Sequence, residues 1–205
     1  MLLALGGFTV AAVLIVLLPG PDTLVVVRSL LRGGRRRALT ASLGVLCGLT
    51  VWVTAAALGI SALLQASRIG YDALRIVGAV YLIWLGIQSW RTRGAIADEG
   101  AAVPSRREIL GTGYVAGLLT DLLNPKVGVF FVTFLPGFLP HGYSVAGVSL
   151  LFGAIFVVLT GLYFAILLAL AARVTGWMST PRIRRRLDSI TGTVLIGLGL
   201  KLAID

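Results

Sequence analysis

The sequence predicts an all-α integral membrane protein, with six transmembrane helices forming a 3+3 inverted repeat whose helices 1 and 4 are broken. Three observations lead there. The chain has a large apolar excess, its basic residues fall in alternate loops, and two proline-containing breaks occupy matching places in its two halves.

Of the 205 residues, 58% are apolar and only 13% are charged, and the mean hydropathy is +0.98. Soluble domains carry about 45–50% apolar and about 25% charged residues. A soluble core of this size could not hide so much hydrocarbon, whereas a bilayer can. The net charge of +10 does not indicate a nucleic-acid partner. That reading needs a basic patch on a soluble domain, and here the basic residues lie in short clusters between apolar runs. Cys47 stands alone, which excludes an internal disulfide and reads as a small core residue.

Six apolar segments can be marked, at about 4–27, 38–64, 70–90, 109–135, 145–172 and 189–204. The first has no basic residue ahead of it and no small-x-small cleavage site before Pro19, so it reads as a retained span rather than a signal peptide. The second is glycine-rich. The third leads into "RTRGAIADEGAAVPSRRE", the one polar linker. Most segments reach the roughly 20 residues a spanning helix needs. The sixth is short and must cross with little tilt or where the bilayer thins. One transmembrane domain is expected over 1–205, as repeat one (1–92), a cytoplasmic linker (93–108) and repeat two (109–205).

The basic residues set the orientation. Arg28, Arg32, Arg35, Arg36 and Arg37 follow segment one. Arg91, Arg93, Arg106 and Arg107 follow segment three, and Arg173, Arg182, Arg184, Arg185 and Arg186 follow segment five. The positive-inside rule places these loops in the cytoplasm and both termini outside. Three helices per half then require the second half to enter from the opposite face, the inverted arrangement common in secondary transporters.

Interrupted helices at matching places are the best sequence pointer to a transporter's binding site. "PGPD" (Pro19, Gly20, Pro21, Asp22) interrupts the first segment about 15 residues in, and "DLLNPK" (Asp121 to Lys126) interrupts the fourth at a similar depth. Proline removes a helix donor and clashes with the preceding turn, so carbonyls are freed around Leu17 and Leu122. Bare backbone is tolerated at that depth only inside protein or beside a wet cavity. Asp22 can cap a half-helix beginning at Thr23. Asn124 can cap another, with Pro125 in its first position. Lys126 opposes the helix dipole and lies deep in hydrocarbon, which suggests an anion site built from amides and an ammonium. The bland alternative is that it snorkels or pairs with Asp121. Asp22 and Asp121 are the carboxylates beside the two breaks in the apolar spans, and either could carry a proton.

"LPGPDTLVVVRSLLRGGRRRALTASLGVLCG" and "LLTDLLNPKVGVFFVTFLPGFL" together resemble the LysE/RhtB family of amino-acid exporters, over essentially the whole chain. The resemblance implies efflux of amino acids or close derivatives across the bacterial inner membrane, driven by the membrane potential or a proton gradient. Carried over, the motif residues are Pro19, Gly20, Pro21, Asn124, Pro125 and Lys126. Some members that handle basic substrates have an aspartate where this chain has Leu49, which favours a neutral amino acid. Many have an asparagine where this chain has Asp121.

The expected site is therefore Asp22, Asp121, Asn124 and Lys126 around breaks at Pro19, Gly20, Pro21 and Pro125. An amino acid, protons and the bilayer are the expected partners, with a homodimer compatible. Neither cofactor nor metal is expected, and no enzyme activity: the lone His141 reads as a loop residue, and Ser42 and Ser61 have no base. Export of another small solute, such as a metal cation or amino-acid derivative, and a non-transporting scaffold are the alternatives. Gly44, Gly48, Gly192, Gly197 and Gly199 suit close helix packing. Trp52, Trp84, Trp90 and Trp177 suit interfacial anchoring, although Trp52 could line a substrate path.

Overall fold

Helix α1 (Leu2–Leu17) stops where Pro19 requires, since proline two residues on cannot continue the ladder. The computed structural model describes residues 1–66, 68–91, 112–140, 142–171 and 181–204. The 93–108 linker, His141 and Trp177 lie outside these residues. Every regular element described is helical: α2 (Pro21–Ala66), α3 (Arg68–Arg91), α4 (Tyr114–Leu122), α5 (Pro125–Val129), α6 (Val145–Ala169) and α7 (Pro181–Ile204).

α2 is two helices in one. Gly34 takes φ 69° and ψ −173°, a left-handed conformation open to glycine without penalty. The chain reverses there, as contacts with α4 show. On the arm before the turn, Ser29 Oγ accepts from Gly113 N (3.2 Å) and Asp22 accepts from Asn124 (2.7 Å). On the arm after it, Arg37 Nη1 donates to Thr112 (3.1 Å), Gly44 faces Tyr114 and Leu118, and Gly48 faces Asp121. One arm therefore runs antiparallel to α4 and the other parallel, so α4 lies against both.

Glycine makes that approach close. A methyl group on Gly44 would overlap the carbonyl of Tyr114, and one on Gly117 would overlap that of Ala41. The same device joins α3 to α7: Gly86 meets the carbonyl of Gly192, and Gly199 that of Ala79. In lipid, where apolar contact offers little gain over lipid tails, such backbone proximity supplies the packing. Gly197, in contrast, faces open space. Cys47 differs from its expectation as well: it lies on an exposed face, so it is no core residue.

After α5 the chain passes through a π-helical turn (Phe130–Phe134) and a 3-10 turn (Leu135–Phe138). The widened turn aims phenylalanines inward. Phe8 stacks on Phe152 at 4.5 Å, and Phe130 meets Phe156 at 4.9 Å. These rings form a buried aromatic core between α1, the π turn and α6.

Among the described residues, three helices are long and apolar enough to cross a membrane: Pro21–Gly59, Val145–Ala169 and Arg185–Ile204. Tyr114–Leu122 and Pro125–Phe138, bent by 49°, make a fourth if they form one broken span. α1, with 16 residues, is shorter than a full crossing.

The junction of the two helix breaks

Both breaks fall where the prolines place them, after Leu17 and after Leu122. The local chemistry departs from expectation at Asp22. Pro21 itself opens α2, taking the first helical position where its missing N–H costs nothing. Asp22 is then a first-turn residue and not the cap. Its carboxylate suits the positive end of the helix, and its Oδ2 is held by Asn124 Nδ2 across the junction.

At the second break Asn124 does cap its helix: its side chain accepts from Lys126 N at 3.1 Å. Its carbonyl takes the N–H groups of Val127 and Gly128. The first-turn amides are therefore engaged, and they leave no open amide cradle for an anion. Asn124 is the hinge pin of the arrangement, binding its own helix with one end and Asp22 with the other.

Lys126 reaches away from its own helix. Its Nζ donates to the carbonyls of Ile15 and Leu18, each at 3.1 Å. These are the carbonyls that Pro19 frees, so the unfavourable dipole of α5 is exchanged for the favourable negative end of α1. The ammonium lies within the field of Asp22, and Gly20 allows its approach, since a Cβ there would sit 3.3 Å from Nζ. Among the described residues Lys126 does not pair with Asp121: its ammonium goes to α1, and neither Asp121 carboxylate oxygen has a hydrogen-bond partner. The second break is closed by another donor. Trp52 Nε1 donates to the carbonyl of Asp121 (3.2 Å), with the indole ring against Gly128, so Trp52 acts as a clamp rather than an interfacial anchor.

A cavity of about 30 Å³ opens at the junction. Its polar wall is Asp22, Thr23, Lys126, Thr160 and Tyr163, and its apolar wall includes Leu49, Val127, Phe156 and Phe164. That volume accommodates water but no amino acid, because one water needs about 10–15 Å³ by this measure. Asn124 and Asp121 are not among its lining residues. Asp121 lies in the last turn before the break, fully buried, so close to Gly48 that a Cβ added there would fall 2.5 Å from its Oδ2. Neither of its carboxylate oxygens has a hydrogen-bond partner.

Sequence reasoning missed Thr23, Thr160 and Tyr163. Tyr163 sits in an apolar run, "GLYFAILL", where its hydroxyl was the only signal. That hydroxyl meets Thr23 Oγ1 at 3.4 Å, a long contact and therefore weak. Thr160 is spoken for, donating to Phe156 O at 2.9 Å. No group of three or more His, Cys, Asp or Glu side chains converges among the described residues.

Broken membrane helices joined by a half-buried ammonium, beside a small cavity with polar and apolar walls, are the arrangement found at the discontinuous helices of membrane transporters. The chain belongs to the LysE family: the model described as LysE type translocator matches residues 13–205. It is 30% identical over 202 residues to the threonine efflux protein of Escherichia coli K12, covering 96% of this chain and 97% of that one. It is 28% identical over 197 residues to the homoserine/homoserine lactone efflux protein of Salmonella typhi, covering 96% and 94%. It is also 29% identical over 202 residues to the uncharacterized membrane protein YrhP of Bacillus subtilis, covering 95% of each. No solved structure matches.

Proposed function

We propose that the chain is a proton-coupled exporter of a neutral, hydroxylated amino acid of the threonine or homoserine type, located in the bacterial inner membrane. One observation carries this reading. Lys126 and Asp22, an ammonium and a carboxylate, face the same cavity at the junction of the two breaks. An amino acid presents the complementary pair whatever its side chain. Lys126 takes the substrate carboxylate, and Asp22, steadied by Asn124, takes the ammonium. When Lys126 turns to the substrate, the Ile15 and Leu18 carbonyls become free to share that ammonium.

The remaining walls suit the side chain. Leu49, fully buried, supplies no anionic partner for a cationic side chain. Thr23 and Tyr163 offer two hydroxyls whose mutual contact is long enough to exchange for a substrate hydroxyl. The named activities of the threonine and homoserine relatives agree with this choice. Tyr163→Phe is expected to raise the apparent KM for threonine by about tenfold, the worth of one hydrogen bond at roughly 1.4 kcal/mol. Its KM for valine, if valine is carried at all, should hold steady. Competition assays with the two amino acids check the difference.

The helix contacts favour six spans in an inverted repeat. Pairing the first span with the fourth, the second with the fifth and the third with the sixth maps some of the helix neighbours onto one another. The packing of α4 on the later arm of α2 corresponds to that of α6 on α1, and α3 with α7 is its own counterpart. Topology is open to direct labelling in a Cys47→Ala background. A cysteine in the 93–106 linker should react only from the cytoplasm. One at Tyr143, which is exposed beside Gly142, should react only from outside. Reaction of both from one face overturns the repeat.

The proposal is tested by overproducing the chain and measuring which amino acids leave the cells. Excretion of threonine or homoserine, with greater tolerance of a threonine-containing dipeptide, is expected. No change for any amino acid refutes it.

A further inference from the structure

We propose that Asp121, and not Asp22, carries the coupled proton, and that it does so on the empty return step of the cycle. The inference rests on the exporter reading above and adds the residue and the stage. Asp121 is fully buried with both carboxylate oxygens unbonded. An ionised carboxylate in that setting carries an uncompensated desolvation cost, whereas a neutral acid does not. Its surroundings offer no compensation. From the later arm of α2 it faces the bare backbone of Gly48, and Cys47 beside that glycine points outward. Trp52 donates to the backbone carbonyl of Asp121, leaving the carboxyl group unbonded. Asp22, on the earlier arm of α2, is the charged group that acts on it, and that group is of like sign. Lys126 on α5 spends its donors on the α1 carbonyls.

Asp22 is in a different position. It holds a hydrogen bond from Asn124, has the Lys126 ammonium nearby and lines the cavity. Its Oδ1 is unbonded, but the Asn124 donor and the Lys126 ammonium both favour its charged form. Asp121 has neither, so of the two carboxylates Asp22 is the better partner for an ammonium. A metal ion fits poorly at Asp121, because Gly48 fills the space a coordination shell would need. A proton needs no such space.

The cavity volume supplies the stage. At about 30 Å³ the cavity is too small for an amino acid, and the close α2–α4 contact that shields Asp121 is intact. Antiport requires the empty carrier to return with its proton. Opening the α2–α4 seam to the cytoplasm wets Asp121, and its O–H proton passes to water, leaving a carboxylate and hydronium. The added negative charge then favours arrival of the substrate ammonium. Outside, substrate release and protonation from water restore the neutral acid and allow the seam to close.

Purified full-length protein in liposomes tests this with labelled L-threonine and an internal pH dye. With the membrane potential clamped at zero by equal potassium and valinomycin, and the lumen one pH unit more acidic than the bath, one-for-one exchange should raise luminal threonine about tenfold, since that gradient is worth roughly 1.4 kcal/mol. The dye should report proton exit. Asp121→Asn, which mimics the neutral acid, should equilibrate threonine slowly to a ratio of about 1 with or without the gradient, and show no dye response. Asp22→Asn should move neither. Tenfold accumulation by Asp121→Asn overturns the proposal. So does threonine movement by the wild type with no dye response, or accumulation driven by sodium at equal pH; neither of these depends on the folding of a variant. Failure of the wild type to move any amino acid would instead refute the exporter reading itself.

Discussion

Replacing Lys126 with methionine should abolish amino-acid export. The ammonium holds the freed carbonyls of Ile15 and Leu18 and balances Asp22, and in the exporter reading it receives the substrate carboxylate. Removing one partner from a buried, hydrogen-bonded charge pair costs about 2–5 kcal/mol, or roughly 30-fold to several thousand-fold in binding. Stability should fall as well, because two buried carbonyls lose their donor at about 1–3 kcal/mol each. Lys126→Arg separates the two effects. Its guanidinium can still satisfy the carbonyls and preserve the fold, but a planar fork does not replace a compact, mobile ammonium. Export by Lys126→Arg is expected to remain poor while its melting temperature stays close to that of the wild type. Transport and thermal unfolding, measured on the same purified variants, check both statements.

The second large effect lies in the α2–α4 seam. Gly117→Leu should prevent accumulation of folded protein. Even the first carbon of the new side chain would overlap the backbone carbonyl of Ala41, and backbone cannot rotate aside as a side chain can. Overpacking costs typically about 1–3 kcal/mol and occasionally more, and a clash with backbone belongs at the upper end, against a total stability of about 5–15 kcal/mol. Gly197→Leu is the matched control. Gly197 faces open space in the same kind of apolar helix, so this variant should express and migrate as the wild type. Yields of monodisperse protein from the two variants, side by side, give the comparison.

The helical class and the two breaks were legible in the sequence because they follow from covalent facts. Proline has no N–H, so α1 had to stop before Pro19 and α4 before Pro125. Asn124 as a cap was readable for the same local reason. What could not be read was the direction in which side chains reach across the junction. The sequence placed Lys126 at the mouth of its own helix as part of an amide cradle, but the amides are taken by Asn124 and the ammonium serves α1 instead. Trp52 is 69 positions from Asp121 along the chain, and nothing local distinguishes it from an interfacial tryptophan. Tyr163 and Thr23 meet across 140 positions, a distance only the tertiary fold closes. Likewise, Gly44 and Gly197 look alike in sequence, yet one sits under a neighbouring backbone and the other under nothing.

Counterflow in liposomes tests most directly whether the junction of the breaks is an amino-acid site. Vesicles containing purified protein are loaded with unlabelled L-threonine and diluted into a trace of labelled L-threonine. The wild type should show transient uptake above equilibrium, suppressed by external homoserine, while Lys126→Met vesicles should trace the protein-free baseline. Equal uptake by the wild type and Lys126→Met, or a flat wild-type trace for threonine, homoserine and every other neutral amino acid, would contradict a substrate site at Lys126 and Asp22.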